Sequence, residues 1–287
     1  MELLLSQLVN GLSNTAVMFL AAIGLVIIFG MLDVVNMAHG EFIMVGAYAG
    51  CVCVDMLGLP FPVACVAAFA VTALVGVVIE RLLIQRLYGR VAETLLATFA
   101  LTYILQQLVR MVFGPEDQHM PMPINSMVRL GSVTIPVYNL VLIAAALVVL
   151  GVTVLLFFKT SFGMQLRAVT QNREMCECLG INVSRIYCLT FAYSCGLAGL
   201  AGVLLAPVKS VVPGMGATYL VDSFMVSVLG GLNSVVGTLA GSLVISESQT
   251  VMAGYMNETA ARLIIFAVII AIIRFRPQGL FSSKERR

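Results

Sequence analysis

Runs of about 17–25 apolar residues recur along the whole chain, and a helix needs roughly 20 such residues to cross about 30 Å of hydrocarbon. That single feature leaves few folds open. In lipid every backbone N–H and C=O must be satisfied within the protein, which admits only helices and closed β-barrels. The period-two alternation of barrel strands is missing, so the sequence reads as an all-α polytopic membrane protein. Composition agrees: 60% of the 287 residues are apolar and only 10% are charged, too few to solvate a globular surface. A net charge of +2 gives no electrostatic footprint for nucleic acid.

Crossings are placed near 13–32, 40–57, 60–81, 93–113, 136–158, 188–206, 218–232, 236–254 and 259–274, nine within an expected range of about eight to ten. Twelve of the sixteen Lys and Arg fall in three places: Arg81, Arg86 and Arg90; Lys159, Arg167, Arg173 and Arg185; and Arg274, Arg276, Lys284, Arg286 and Arg287. All three lie on one side under this count, which the positive-inside rule makes the cytosol. The N-terminus is then outside and the C-terminus cytosolic. The first ten residues carry Glu2 and no Lys or Arg, so they lack the basic start of a cleaved signal and the first span is expected to stay in the mature protein. The outward connection 114–136 holds four prolines and short polar turns, and reads as an ordered external loop and a dock for an external partner.

Catalytic constellations are not found. There is no phosphate-binding loop with its lysine, no G-x-S-x-G and no Ser/His/Asp set at plausible spacing, so the chain reads as a non-enzyme without cofactor. Cys176 and Cys178 form a C-x-C pair and His39 with Glu41 an H-x-E, yet neither has a further ligand set nearby, and no metal is expected. Anything moved uphill must draw energy from a separate subunit or from an ion gradient. For the second route Glu80, Asp55 and above all Glu247, deep in an apolar run, are the relay candidates.

Polar residues inside the apolar runs gather in two places. Asp33–Glu41 carries Asn36, His39 and Glu41, with Gly30 before it and Gly40 within it; the stretch 222–234 carries Asp222, Ser223, Gly230 and Gly231 after Pro213, Gly214 and Gly216. EFIMVGAYAG at 41–50 and DSFMVSVLGG at 222–231 share an acid, a Phe, Met-Val and a closing glycine, a weak internal duplication. Paired glycine-interrupted segments in corresponding halves are used by transporters to line a central path. The alternative is a pair of tight turns between closely packed helices.

The segment 160–185 is an island of charge. Arg167–Leu179 interleaves Val169, Met175 and Leu179 with Gln171, Asn172, Arg173, Glu174 and Glu177, and Gly180 supplies a helix stop. A short helix on the cytosolic face would present apolar knobs within a charged rim, the composition of a docking surface; the alternative is an amphipathic helix resting on lipid headgroups.

LRAVTQNREMCECLGI at 166–181, LTFAYSCGLAGLAGVLLAP, YLVDSFMVSVLGG, RPQGLF at 276–281 and NMAHGEF near the start together resemble the permease subunits of branched-chain amino-acid-type ABC importers, over about residues 11–281. Within that class RAVTQNR, ATYLVDSFMV and the run 88–115 resemble the urea permease more than the amino-acid one, while the pattern after Phe113-Gly114-Pro115 departs from the family. The resemblance implies one transmembrane permease domain, 1–287, in a bacterial inner membrane, working with a second permease chain, two cytosolic ATPases and a periplasmic binding protein. Urea or a short amide is the implied substrate, with a branched-chain amino acid as the alternative; a gradient-driven transporter or a channel stands for another class. Carried over by position, Arg167, Ala168, Gln171, Asn172, Glu174 and Gly180 fall to ATPase coupling. Asn36, His39, Glu41, Asp222, Ser223, Gly230 and Gly231 fall to the translocation path.

Overall fold

A computed structural model describes residues 2–130, 133–231 and 234–275. The RPQGLF stretch and the basic tail from Arg276 onward, and residues 232–233 of the second polar patch, lie outside the described residues. Eleven helices follow in chain order: α1 (Glu2–Leu32), α2 (His39–Cys51), α3 (Phe61–Leu82), α4 (Val91–Phe113), α5 (Val137–Lys159), α6 (Ser161–Gln171), α7 (Arg173–Cys178), α8 (Val183–Leu205), α9 (Met215–Gly230), α10 (Val235–Ala253) and α11 (Glu258–Phe275). A π-helical turn, Val52–Met56, extends α2, and an antiparallel hairpin of β1 (Met127–Leu130) and β2 (Val133–Pro136) pairs Met127 with Pro136.

Five helices are long and apolar enough to cross a membrane by themselves: α1 from Gln7, α3 with its C-terminal extension, α4, α5 and α8. α9 and α10 pass that test only together, with a 115° change of direction between them. The nine straight crossings expected from hydropathy are therefore corrected in three regions: 40–57, 218–254 and 259–274, where the described apolar helix, Thr259–Ile272, is short.

The first correction has a clear cause. α1 ends at Leu32, and Asp33 (φ 52°) is the only non-glycine residue at positive φ among the described residues, turning the chain back on itself. His39 Nε2 then lies 2.9 Å from the carbonyl oxygen of Ala21, near the middle of the Gln7–Leu32 span. Eleven residues separate Ala21 from Leu32, about 16 Å of helix. Residues 33–38 are non-helical and climb back that distance, so α2 starts at half depth. Hydropathy registers the apolar length of 40–57 and not the depth at which it begins.

α8 is the centre of the bundle: 83% of its apolar window is buried, against 22–28% for α3, α4 and α5, whose outer faces carry side chains such as Leu74, Leu96 and Leu147. Lipid tails are as apolar as leucine, so helices associate in a bilayer through close packing and polar contacts rather than through hydrophobic exclusion. The run Ser194–Gly202 of α8 is accordingly small-residue rich: Gly199 packs on the backbone of Gly46, and Gly202 on the carbonyl of Ile43, both in α2. Phe42 and Phe191 meet edge to face at 6.3 Å beside them, and Tyr138 of α5 donates to the Leu204 carbonyl at 2.7 Å.

Part of the connection 114–136, expected to be ordered from its prolines, is tied to the rest of the protein. Gln118 and Val211 exchange backbone hydrogen bonds at 2.9 Å in each direction, which ties it to the stretch between α8 and α9.

Candidate functional site

The two polar patches meet where α2 crosses α9. Gly40 faces the Gly216 carbonyl, and a Cβ at Gly216 would come within 2.8 Å of the Glu41 carboxyl carbon, so only glycine admits this approach. Asn36, His39, Glu41, Asp222 and Ser223 are all buried around the crossing and the adjoining turns of these helices. Asn36 Oδ1 accepts from the Ala38 N–H at 3.0 Å and fixes the turn into α2. Gly230 and Gly231 stand apart from this group: Gly230 packs on Gly237 at the bend between α9 and α10, and Gly231 (φ 97°) ends α9.

A stripe on α4 that the sequence reading passed over holds the non-helical segment. Thr98 Oγ1 accepts from the Met37 N–H at 3.1 Å, Thr102 Oγ1 donates to the Met37 carbonyl at 3.4 Å, and Gln106 Nε2 donates to Glu41 Oε1 at 2.8 Å. Non-helical backbone at membrane depth must find such partners inside the protein. Thr98, Thr102 and Gln106 recur at i, i+4 and i+8, a polar helical face in an apolar run, and that spacing was the available signal. The remaining capacity of the patch is unfilled: Asn36 Nδ2, His39 Nδ1, Glu41 Oε2 and Ser223 Oγ have no protein partner. Buried polar atoms of this kind are costly in apolar surroundings and mark places where water or a polar solute sits.

Above the crossing lies a cavity of about 740 Å³, lined by the outer part of α1, the start of α5, the connection 206–214, α9, the end of α10 and the start of α11. Ala21, whose carbonyl meets His39, is part of its wall, so the cavity reaches the level of the buried patch. Its lining includes the ion pair of Asp222 and Arg262 at 3.4 Å, the amides of Asn10, Asn14, Asn139 and Gln249, and an apolar wall that includes Val17, Met18 and Leu142. Arg262 begins the last apolar run and was not singled out from sequence; its partner is forty residues away, and no local spacing betrays the pair.

In the segment 160–185 the expected single helix is two. Asn172 takes extended backbone (φ −153°) and its Oδ1 accepts from the Met175 N–H at 2.9 Å, so it ends α6 and caps α7. Gly180 (φ 82°) does stop α7: Gly180 N–H bonds to the Glu177 carbonyl and Ile181 N–H to that of Cys176, the paired bonds of a Schellman motif. Thr160 and Asn182 cap α6 and α8 in the same way, so the segment is held at each of its joints. Arg167 turns inward, donating to the Phe157 carbonyl and lying 5.2 Å above the Phe158 ring; Ala168 is half-buried, and Val169 is in the core rather than on a docking face. Gln171, Glu174, Met175, Leu179 and Gly180 are exposed, with Met175 and Leu179 as the apolar knobs, while Arg173 is paired to Glu177 at 3.0 Å.

The chain matches the family described as the permease component of branched-chain amino acid transport systems over residues 7–273. It belongs to that family. BraD of Pseudomonas aeruginosa, a high-affinity branched-chain amino acid transport system permease protein, is 30% identical over 98% of this chain and 96% of its own length. LivH of Escherichia coli K12, of the same description, is 28% identical over the same shares, and LivM of Salmonella typhimurium is 28% identical over 49% of this chain and 33% of its own. No solved structure matches. The permease is thus a multi-pass inner-membrane protein, in keeping with its apolar helices.

Proposed function

We propose that this permease is one of two membrane-spanning chains of an ATP-driven importer of branched-chain amino acids. The match over residues 7–273 carries the reading, and relatives named for that transport system extend it along nearly the whole chain. The urea preference expected from RAVTQNR and ATYLVDSFMV gives way to this alternative, because the full-length relatives carry the branched-chain amino-acid description. Similarity to LivM as well as LivH supports a second, related permease chain beside this one.

The geometry suits alternating access. ATPases docking on α7 would push on α6, which packs under α1, α5 and α8; Thr170 of α6 lies 3.5 Å from the Met31 carbonyl at the end of α1. α1 and α8 in turn carry α2, and with it the crossing at Gly40 and Gly216. A nucleotide-driven shift of α6 therefore bears on the close backbone contact of α2 with α9, a point where a two-state path could switch. A solute enters from a periplasmic binding protein over the ordered outer loops.

The test is uptake by the complete importer: radiolabelled L-leucine accumulates and excess valine or isoleucine competes, whereas urea stays at background. Leucine at background with urea accumulating would reverse the substrate reading. Glu247→Gln is expected to leave leucine uptake unchanged, since Glu247 packs on the Gly11 backbone at the α1–α10 contact. A gradient-driven carrier relaying protons through Glu247 would lose uptake in that variant.

A further inference from the structure

The cavity combines the Asp222–Arg262 ion pair with an apolar wall, and that combination selects a chemical class. An acid and an arginine inside a membrane bundle are costly, and a hydrophobic pair of similar volume often does as well for stability. Asp222 is buried in the middle of α9, and Arg262, half-buried in the cavity lining, reaches it from one turn into α11, so the two charges come from different helices. A volume of about 740 Å³ lies within the range of small-molecule sites. Further polar lining includes the amides of Asn14, Asn139 and Gln249, the hydroxyls of Thr218 and Tyr219, and Lys209; Gln249 Nε2 has no protein hydrogen bond.

We propose that this cavity is a transit site for zwitterionic amino acids with apolar side chains. Arg262 takes the carboxylate, Asp222 takes the ammonium, and Val17, Met18 and Leu142 receive the side chain. The exchange conserves interactions: the substrate's two charges replace the two that the protein groups present to each other, so the pair opens without leaving a bare charge behind. A neutral solute such as urea has no charge to offer in exchange and would leave the pair closed. On α9 the cavity is lined by Met215, Thr218 and Tyr219, which flank the Gly216 that packs on Gly40. The inference rests on the amino-acid reading above and adds to it the groups that recognise the two charged ends.

The experiment measures equilibrium binding to the assembled permease–ATPase complex in lipid nanodiscs without binding protein, using three probes. These are L-leucine, L-leucinamide, which lacks the carboxylate, and 4-methylpentanoate, which lacks the ammonium. Arg262→Gln is expected to weaken leucine and 4-methylpentanoate at least tenfold and to spare leucinamide. Asp222→Asn is expected to weaken leucine and leucinamide and to spare 4-methylpentanoate. This crossed pattern cannot come from misfolding, which would remove all three together. Absence of leucine binding in the wild type, or equal effects on all three probes, overturns the site. Where a charge variant does not assemble, Met18→Ala carries the test: widening the wall should shift the leucine-to-phenylalanine affinity ratio at least threefold toward phenylalanine, and an unchanged ratio overturns it. Leucine uptake by the complete wild-type importer separates the two levels. Uptake with a flat probe pattern removes only this site, whereas loss of uptake removes the amino-acid reading itself.

Discussion

Gly202→Val is expected to leave almost no folded protein in the membrane. A Cβ at this position runs into the Ile43 carbonyl oxygen and comes within 2.8 Å of the Ala47 nitrogen, so the clash is with helix backbone on the far side. Side chains can change rotamer to relieve overpacking; a buried helix cannot move without breaking its other contacts. Separating α2 from α8 would also part Gly46 from Gly199 and Phe42 from Phe191. The cost therefore falls at or above the upper end of the ~1–3 kcal/mol usual for overpacked cores. Gly151→Val is the control, because nothing lies within 4 Å of a Cβ there. Detergent-solubilised yield and thermal unfolding check both, and equal behaviour of the two variants would refute the central placement of α8.

The second large effect is on assembly. Met175→Asp combined with Leu179→Asp is expected to weaken association with the ATPases by about 100-fold or more, since buried apolar anchors at an interface commonly contribute about 2 kcal/mol or more each. Both side chains are exposed, so the permease itself should fold normally. Co-purification of the ATPases and substrate-stimulated hydrolysis are the readouts. Intact assembly would favour the other reading of this segment, a helix resting on lipid headgroups.

What the sequence reveals and what it hides divide along a physical line. Apolar run length is a local property, and it identified a helical membrane bundle, just as the island of charge at 160–185 marked a helical segment between α5 and α8. Cap chemistry is local too: Gly180 announces the end of α7, although Asn172, equally suited to capping, was read as part of one continuous helix. Depth is not local. The half-depth start of α2 depends on Asp33 reversing the chain and on Thr98, Thr102 and Gln106 receiving the segment that follows, contacts across more than sixty residues. The bend between α9 and α10 is hinted at by Gly230 and Gly231, which sit at that turn, Gly230 packed on Gly237.

The same line runs through the candidate site. Asn36, His39, Glu41, Asp222 and Ser223 stood out because polar groups are expensive in apolar runs, and they are buried around two helices that touch. Arg262 shared that signature and was hidden by its position near the start of a span, where an arginine is ordinarily taken for an interfacial residue. Arg167 was assigned to coupling by position, and its guanidinium is engaged by the end of α5; its effect on coupling would pass through the seating of α6.

The central claim is that a nucleotide-driven engine outside this chain moves an amino acid through it. The direct measurement is L-leucine accumulation in proteoliposomes that hold the complete importer, with all ion gradients collapsed and with either ATP or ADP supplied to the ATPase side. The account predicts accumulation above the external concentration with ATP and binding protein, none with ADP, and none when Met175→Asp and Leu179→Asp are combined. Accumulation that persists with ADP, or that appears only when an ion gradient is imposed, would contradict it.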